Sequence, residues 1–306
     1  MKVLVATQKP FAAAAVASIK KELEAAGHEV VLFEKYESQA DLVAAVSDAQ
    51  ALIIRSDKVT AEVLDAAPAL KIVVRAGAGY DNVDLAAATA HGVVVMNTPG
   101  QNSNAVAELA VAMMNFMART QFTPATGSEI QGKTVGIQAF GNVGRLVGAK
   151  AKALGMNVKA IDPFLSAEQI EAGGAQPAES LEELYSTCNY VSVHIPATPQ
   201  TIGSIGYELI SKMPKGATLV NTARKEVIDE AGLEKALEER QDIKYITDVA
   251  PDNYAALQEK FGLRVFATPK KMGAQTAEAN ANAGIAAARQ ICDFFATGCT
   301  RFQVNK

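Results

Sequence analysis

Short runs of apolar, mostly β-branched residues alternate along this chain with longer alanine-rich stretches. That alternation constrains the fold more than any other feature. The runs cover 2–6, 29–33, 51–54, 71–74, 93–96, 134–138, 158–161, 190–193, 218–220, 245–247 and 265–267. Continuously apolar strands separated by helices imply a parallel sheet covered on both faces. Five runs lie before residue 98 and six after residue 133, so two doubly wound α/β units fit better than one sheet of eleven strands. A helix is expected over 104–119 between the two groups, with Ser103 or Asn104 as its cap. It is apolar on most faces (VAELAVAMMNFMA), which implies burial between domains or in a homodimer interface. A further helix is expected over 276–296.

The 306 residues are 49% hydrophobic and 20% charged, enough for about two domains with substantial cores. A net charge of −4 argues against a nucleic-acid binder. No apolar run reaches the roughly 20 residues of a membrane span, and the start, MKVLVATQKP, lacks a signal-peptide pattern. Cys188, Cys292 and Cys299 are scattered without metal-ligand spacing, which fits a reducing cytoplasm and no metal. The three histidines are His28, His91 and His194.

Ligands of open parallel sheets bind at the carboxyl ends of the strands. The residues just after the runs are therefore the candidates: Arg55 to Lys58, Arg75 to Gly79, Asn97 to Gly100, Ala139 to Gly144, Asp162-Pro163, His194 to Pro196, Asn221 to Arg224, Asp248, and Thr268 to Lys271. Polar and cationic groups gather at one edge of both units, and a cleft between those edges is the expected site. Ala139-x-Gly141-x-x-Gly144 follows a strand and opens a helix, as in a dinucleotide-binding turn, although alanine holds the first glycine position. Asp162 ends the next strand, where a carboxylate accepts bonds from ribose hydroxyls and disfavours a 2′-phosphate. The expected cofactor is NAD.

RAGAGYDNVD (75–84), NTPGQNSNAVAEL (97–109), the nucleotide turn and NTAR (221–224) resemble the D-2-hydroxyacid dehydrogenase family over essentially the whole chain. IIRSD (53–57) and the first two of these motifs look most like its phosphoglycerate dehydrogenase branch. The resemblance implies a smaller flavodoxin-like substrate domain (1–98 plus 275–306) and a Rossmann NAD-binding domain (99–274). It also implies that the C-terminal regulatory domain of longer members is absent. Carried over residue by residue, Arg224 matches the arginine that holds the substrate's carboxylate and carbonyl. Asp248 matches the acid at the nicotinamide carboxamide. Gly141, Asn142, Val143, Gly144, Asp162, His194, Pro196, Thr222 and Ala223 match further cofactor contacts. Arg55, Lys58, Arg75, Ala76, Gly77 and Asn102 are the expected substrate-side residues, and Arg55 and Arg75, which end neighbouring strands, could clamp a phosphate. Asn102, Ser103 and Asn104 are also explained by capping.

This chain departs from the family at the chemistry itself. The catalytic glutamate's position holds Asn253, and the stretch that carries the catalytic histidine reads Thr268-Pro269-Lys270-Lys271. A minority branch of phosphoglycerate dehydrogenases looks similar, with lysine in that place. The expectation is NAD-dependent oxidation of 3-phosphoglycerate to 3-phosphohydroxypyruvate, the first step of serine synthesis. Lys270, or Lys271, would exchange the hydroxyl proton, and closure near Pro99 and Pro269 would exclude water. A reductase of glyoxylate or hydroxypyruvate is the alternative enzyme. A non-catalytic NAD-sensing scaffold is the alternative of another class.

Overall fold

Strands whose side chains are nearly all apolar must be covered on both faces, and the central strands of both sheets are built that way. The structure, a computed structural model, describes residues 1–305. It divides into two units: residues 1–102 with the stretch from Gln275 onward, and Ser103–Ala274. The first break falls beyond residue 98 because the chain stays tied to the first sheet, with Thr98 N donating to Gly77 O at 2.9 Å.

In the first unit, β1 (Lys2–Thr7), β2 (Glu29–Glu34), β3 (Ala51–Ile54), β4 (Ile72–Arg75) and β5 (Val94–Asn97) form a parallel sheet in the order β2-β1-β3-β4-β5. This is the flavodoxin order expected for it. Leu4, Leu52 and Val73 enter one apolar cluster, and Val5, Ile53 and Val74 enter another. The C-terminal helix Ala277–Thr297 opens on Thr276, whose hydroxyl accepts from Ala279 N. It packs against the helix Ala13–Ala25.

In the second unit, β6 (Thr134–Gln138), β7 (Asn157–Ile161), β8 (Gln176–Pro177), β9 (Tyr190–Val193), β10 (Thr218–Asn221), β11 (Lys244–Thr247) and β12 (Val265–Ala267) run in the order β12-β11-β10-β9-β6-β7-β8. From β6 outward in both directions this is the Rossmann order with one strand added, and its switch point lies between β6 and β9. β8 was not expected, since two residues carry no periodicity to read. The runs also stop short of their strands at Arg75, Asn97 and Asn221. Backbone pairing continues there (Ile54 with Arg75, Arg75 with Asn97, Asn221 with Thr247), while the side chain has already turned polar.

The helix Ser103–Ala118 buries Ala107, Ala110, Met113, Met114 and Met117. It packs on the helix Asn142–Ala153 and on β10, all within its own unit. Its buried side is thus covered inside the chain, while Val106, Leu109 and Phe116 stay half-buried. Among the described residues no helix is long and apolar enough to cross a membrane.

Candidate active site

The second unit places its nucleotide turn at the switch point. Ala139 takes φ +73°, a left-handed conformation in which glycine would be unstrained. Gly144 sits where a Cβ would come within 2.2 Å of Ala139 O, so only glycine lets the helix approach its strand. At Gly141, the N-cap of that helix, a Cβ would meet nothing within 4 Å. The turn therefore leaves open space in front of a helix N-terminus, which suits a pyrophosphate. Asp162 lies directly beside it. Its Oδ2 accepts from Phe140 N and its Oδ1 from Phe164 N, both at 2.9 Å. The carboxylate thus holds the turn and keeps acceptor sites for ribose hydroxyls. Asn142 is exposed and Val143 partly buried at the same helix start. Across the switch point, His194 N donates to Gln138 O, and its Nε2 lies 2.9 Å from Ser192 Oγ. Burial pushes the His194 imidazole down to about 4, so the ring is neutral. Pro196, which follows, is exposed.

Further along the same edge, buried polar side chains shape each loop. The Asn221 carboxamide accepts from Ala223 N and donates to Arg224 O, both at 2.9 Å, folding the turn that presents Arg224. The Arg224 guanidinium rests on Ala223 O at 3.0 Å. Thr222 Oγ1 is buried and has no hydrogen-bond partner among the described residues. Thr247 Oγ1 accepts from Val249 N. Asp248, only 1% exposed, holds the next loop through the N–H groups of Met272 and Gly273, at 2.9 and 2.8 Å.

These loops enclose a pocket of about 350 Å³ lined by Arg224, Lys225, Glu226, Asp248, Thr268, Lys270 and Lys271, among others. That volume suits a small ligand. Four cations against two acids favour an anion. The pocket brings together Arg224, Asp248 and the lysine pair. Asn253, at the position of the family's glutamate, stands at the start of the helix Tyr254–Phe261 without a side-chain capping bond.

The edge of the first unit is organised differently. Arg55 donates from Nη1 to Lys9 O at 2.9 Å and Pro10 O at 3.1 Å, and from Nη2 to Asn280 Oδ1 at 2.5 Å. It also lies over the Phe11 ring. Asp57, buried just beyond, accepts from Gln8 N, Tyr36 Oη and Arg55 N. Asn82 Nδ2 donates to the carbonyls of Arg55 and Asp57. Arg75 is the last residue of β4, and its guanidinium lies across Gly77, where a Cβ would fall 1.4 Å from Nη1. Ala76 is buried, Asn102 half-buried and Lys58 exposed.

Sequence reasoning held Asp57, Asn221 and Thr268 only as strand-end candidates and missed Thr247 and Asn280. Asparagine and threonine at the end of an apolar strand are a readable turn signal. Asn280 is reached only through the fold, since it lies 225 residues from Arg55.

A model of the family described as D-isomer specific 2-hydroxyacid dehydrogenase, catalytic domain, matches residues 3–305. The chain is 38% identical over 293 residues to D-3-phosphoglycerate dehydrogenase of Rattus norvegicus, covering 90% of this chain and 54% of that one. With the enzyme of that name from Mycobacterium tuberculosis it is 39% identical over 266 residues, covering 82% and 50%. It spans about half the length of these curated relatives. Among solved structures, NAD+-bound 3-phosphoglycerate dehydrogenase of Entamoeba histolytica is 50% identical, with a TM-score of 0.90, covering 100% of this chain and 99% of that one.

Proposed function

This chain belongs to the D-isomer specific 2-hydroxyacid dehydrogenase family, and from that premise we propose that it oxidises D-3-phosphoglycerate to 3-phosphohydroxypyruvate with NAD, opening serine synthesis. The observation that carries the reading is one pocket holding Arg224, Asp248, Lys270 and Lys271 beside a nucleotide turn on the same sheet edge. The relatives named for this activity support it.

The nucleotide turn fits NAD by its open Gly141, its close-packed Gly144 and the adjacent Asp162. When bound, NAD supplies the nicotinamide that accepts hydride from C2 of the substrate. Gly141, Asn142, Val143 and Gly144 would hold the pyrophosphate and Asp162 the ribose. His194, Pro196, Thr222, Ala223 and Asp248 would bound the nicotinamide end. Two backbone N–H groups face the Asp248 carboxylate, with the Thr268 hydroxyl as a third donor that it shares with Lys270 O, and with about four acceptor sites at least one is left for a carboxamide. Arg224 would grip the carboxylate in a fork and polarise the developing carbonyl. Lys270, with Lys271 as second choice, would take the hydroxyl proton as a neutral amine, or steady the alkoxide as an ammonium.

We assign the phosphate to Arg75, supported by Arg55, Lys58, Ala76, Gly77 and Asn102. One observation favours a second reading, a reductase of glyoxylate or hydroxypyruvate. The Arg55 guanidinium is already bonded to Lys9, Pro10 and Asn280, which weakens a two-arginine clamp. We place the protein in the cytoplasm, supported by three unpaired cysteines. We also propose a homodimer: Phe122, beyond the Ser103–Ala118 helix, is 72% exposed and offers an apolar ring to a second copy.

The test is NADH formation with 3-phosphoglycerate, D-glycerate and D-lactate. Turnover fastest with 3-phosphoglycerate supports the assignment. Equal or faster turnover of D-glycerate moves it to the reductase, and no turnover with any acid overturns it.

A further inference from the structure

We propose that Thr268 is a positioning residue for the lysine loop, holding Lys270 through a hydroxyl that two acceptors share. The inference rests on the reading above, in which that loop exchanges the substrate's proton.

Thr268 is fixed at both ends. Its backbone N donates to Thr247 O at 3.0 Å, which aligns it at the end of β12. Its side chain is buried, with Oγ1 2.8 Å from Asp248 Oδ1 and 2.9 Å from Lys270 O. A threonine hydroxyl has one proton, while an ionised carboxylate and a peptide carbonyl can only accept. The two contacts therefore compete. With the proton toward Lys270 O, the lysine's main chain is tied to the β12 strand end. With the proton toward Asp248, that carbonyl is released, and the loop is held only from its far side, by Met272 N on Oδ1 and Gly273 N on Oδ2.

Lys270 thus sits between two tethers, and Thr268 is the one on its own side. Both lysines extend from this short segment into the pocket lining. A lysine side chain has four rotatable bonds and large rotamer freedom, so its reach is set chiefly by where its Cα is held. The family's ligand contacts do not explain this hydroxyl, since it is directed at the protein's own loop.

Thr268→Val removes the hydroxyl while keeping the shape and the backbone bond, and Thr268→Ser restores the hydroxyl. Two readouts apply: amide hydrogen exchange of residues 270–273 in the protein without substrate, and the split between kcat and KM. The Val variant should exchange these amides about tenfold faster and lose about tenfold in kcat, with KM for NAD within threefold. The Ser variant should return both to within threefold of the parent. Wild-type exchange and kcat in the Val variant would overturn the proposal. So would a kcat loss with unchanged loop exchange that Ser does not rescue. If the parent protein turns over no 2-hydroxy acid, the functional reading fails, and faster exchange in the Val variant still establishes the tether by itself.

Discussion

The two units share one architecture, yet their polar edges do opposite things. In the first unit the groups at the strand ends close on one another: Arg55 on Lys9, Pro10 and Asn280, and Asp57 on Gln8, Tyr36 and Arg55. In the second, buried Asn221, Asp248 and Thr268 bond downward to the backbone, and the cations above them line a pocket. A charged residue after a β-strand is therefore not yet a ligand contact.

The arginines offer the widest test of that difference. Arg224→Met should lower kcat/KM about a hundredfold or more, since charge-assisted hydrogen bonds contribute about 1.5–3 kcal/mol each, with a smaller fall in the urea midpoint than at Arg55. Arg55→Met should do the reverse. It leaves the Lys9 and Pro10 carbonyls without their donor and costs about 1–3 kcal/mol of stability, with a smaller loss of turnover. A larger activity loss at Arg55 than at Arg224 would erase the contrast.

The glycines sharpen it. A Cβ at Gly144 would press on a backbone oxygen at 2.2 Å, whereas one at Gly77 would meet the Arg75 guanidinium on a backbone at φ +153° that strains any L side chain. Gly144→Ala should therefore cost about 1–3 kcal/mol, as overpacking does, and weaken NAD binding. Gly77→Ala should keep NAD affinity and raise KM for phosphorylated substrate by displacing Arg75. Calorimetric titration with NAD, run beside steady-state kinetics, separates the two.

The histidines give a smaller effect of opposite sign. His194 in the second unit is pushed down to about 4 by burial, so its contribution is full above its unfolded value near 6.5 and is lost as pH falls toward 4. His91 in the first unit is raised by Ala87 O and Asp65, so its contribution is full below 6.5 and is lost as pH rises through the folded value. Denaturant midpoints between pH 4 and 7 should fall toward acid in the parent and flatten in His194→Asn. An unchanged slope in that variant would mean the imidazole is not held neutral.

Much of this was legible in the sequence because both sheets are buried on both faces, so their strands read as unbroken apolar runs. Arg224 and the lysine pair were legible as the residues following such runs. β8 was not, being too short to have a pattern. The fate of Arg55 was not, because its partner Asn280 reaches it only through the packing of the C-terminal helix on the first sheet. The Ser103–Ala118 helix packs on its own unit's Asn142–Ala153 helix, a partner that its composition alone did not name.

Under the proposed function, the pocket of the second unit exchanges the substrate's proton through its lysine loop. The most direct measurement is kcat for 3-phosphoglycerate oxidation by the double variant Lys270→Met/Lys271→Met, with NAD affinity measured in parallel. The account predicts a fall of about a hundredfold or more, the range of a lost general base, at NAD affinity within threefold of the parent. A kcat within threefold of the parent would contradict it.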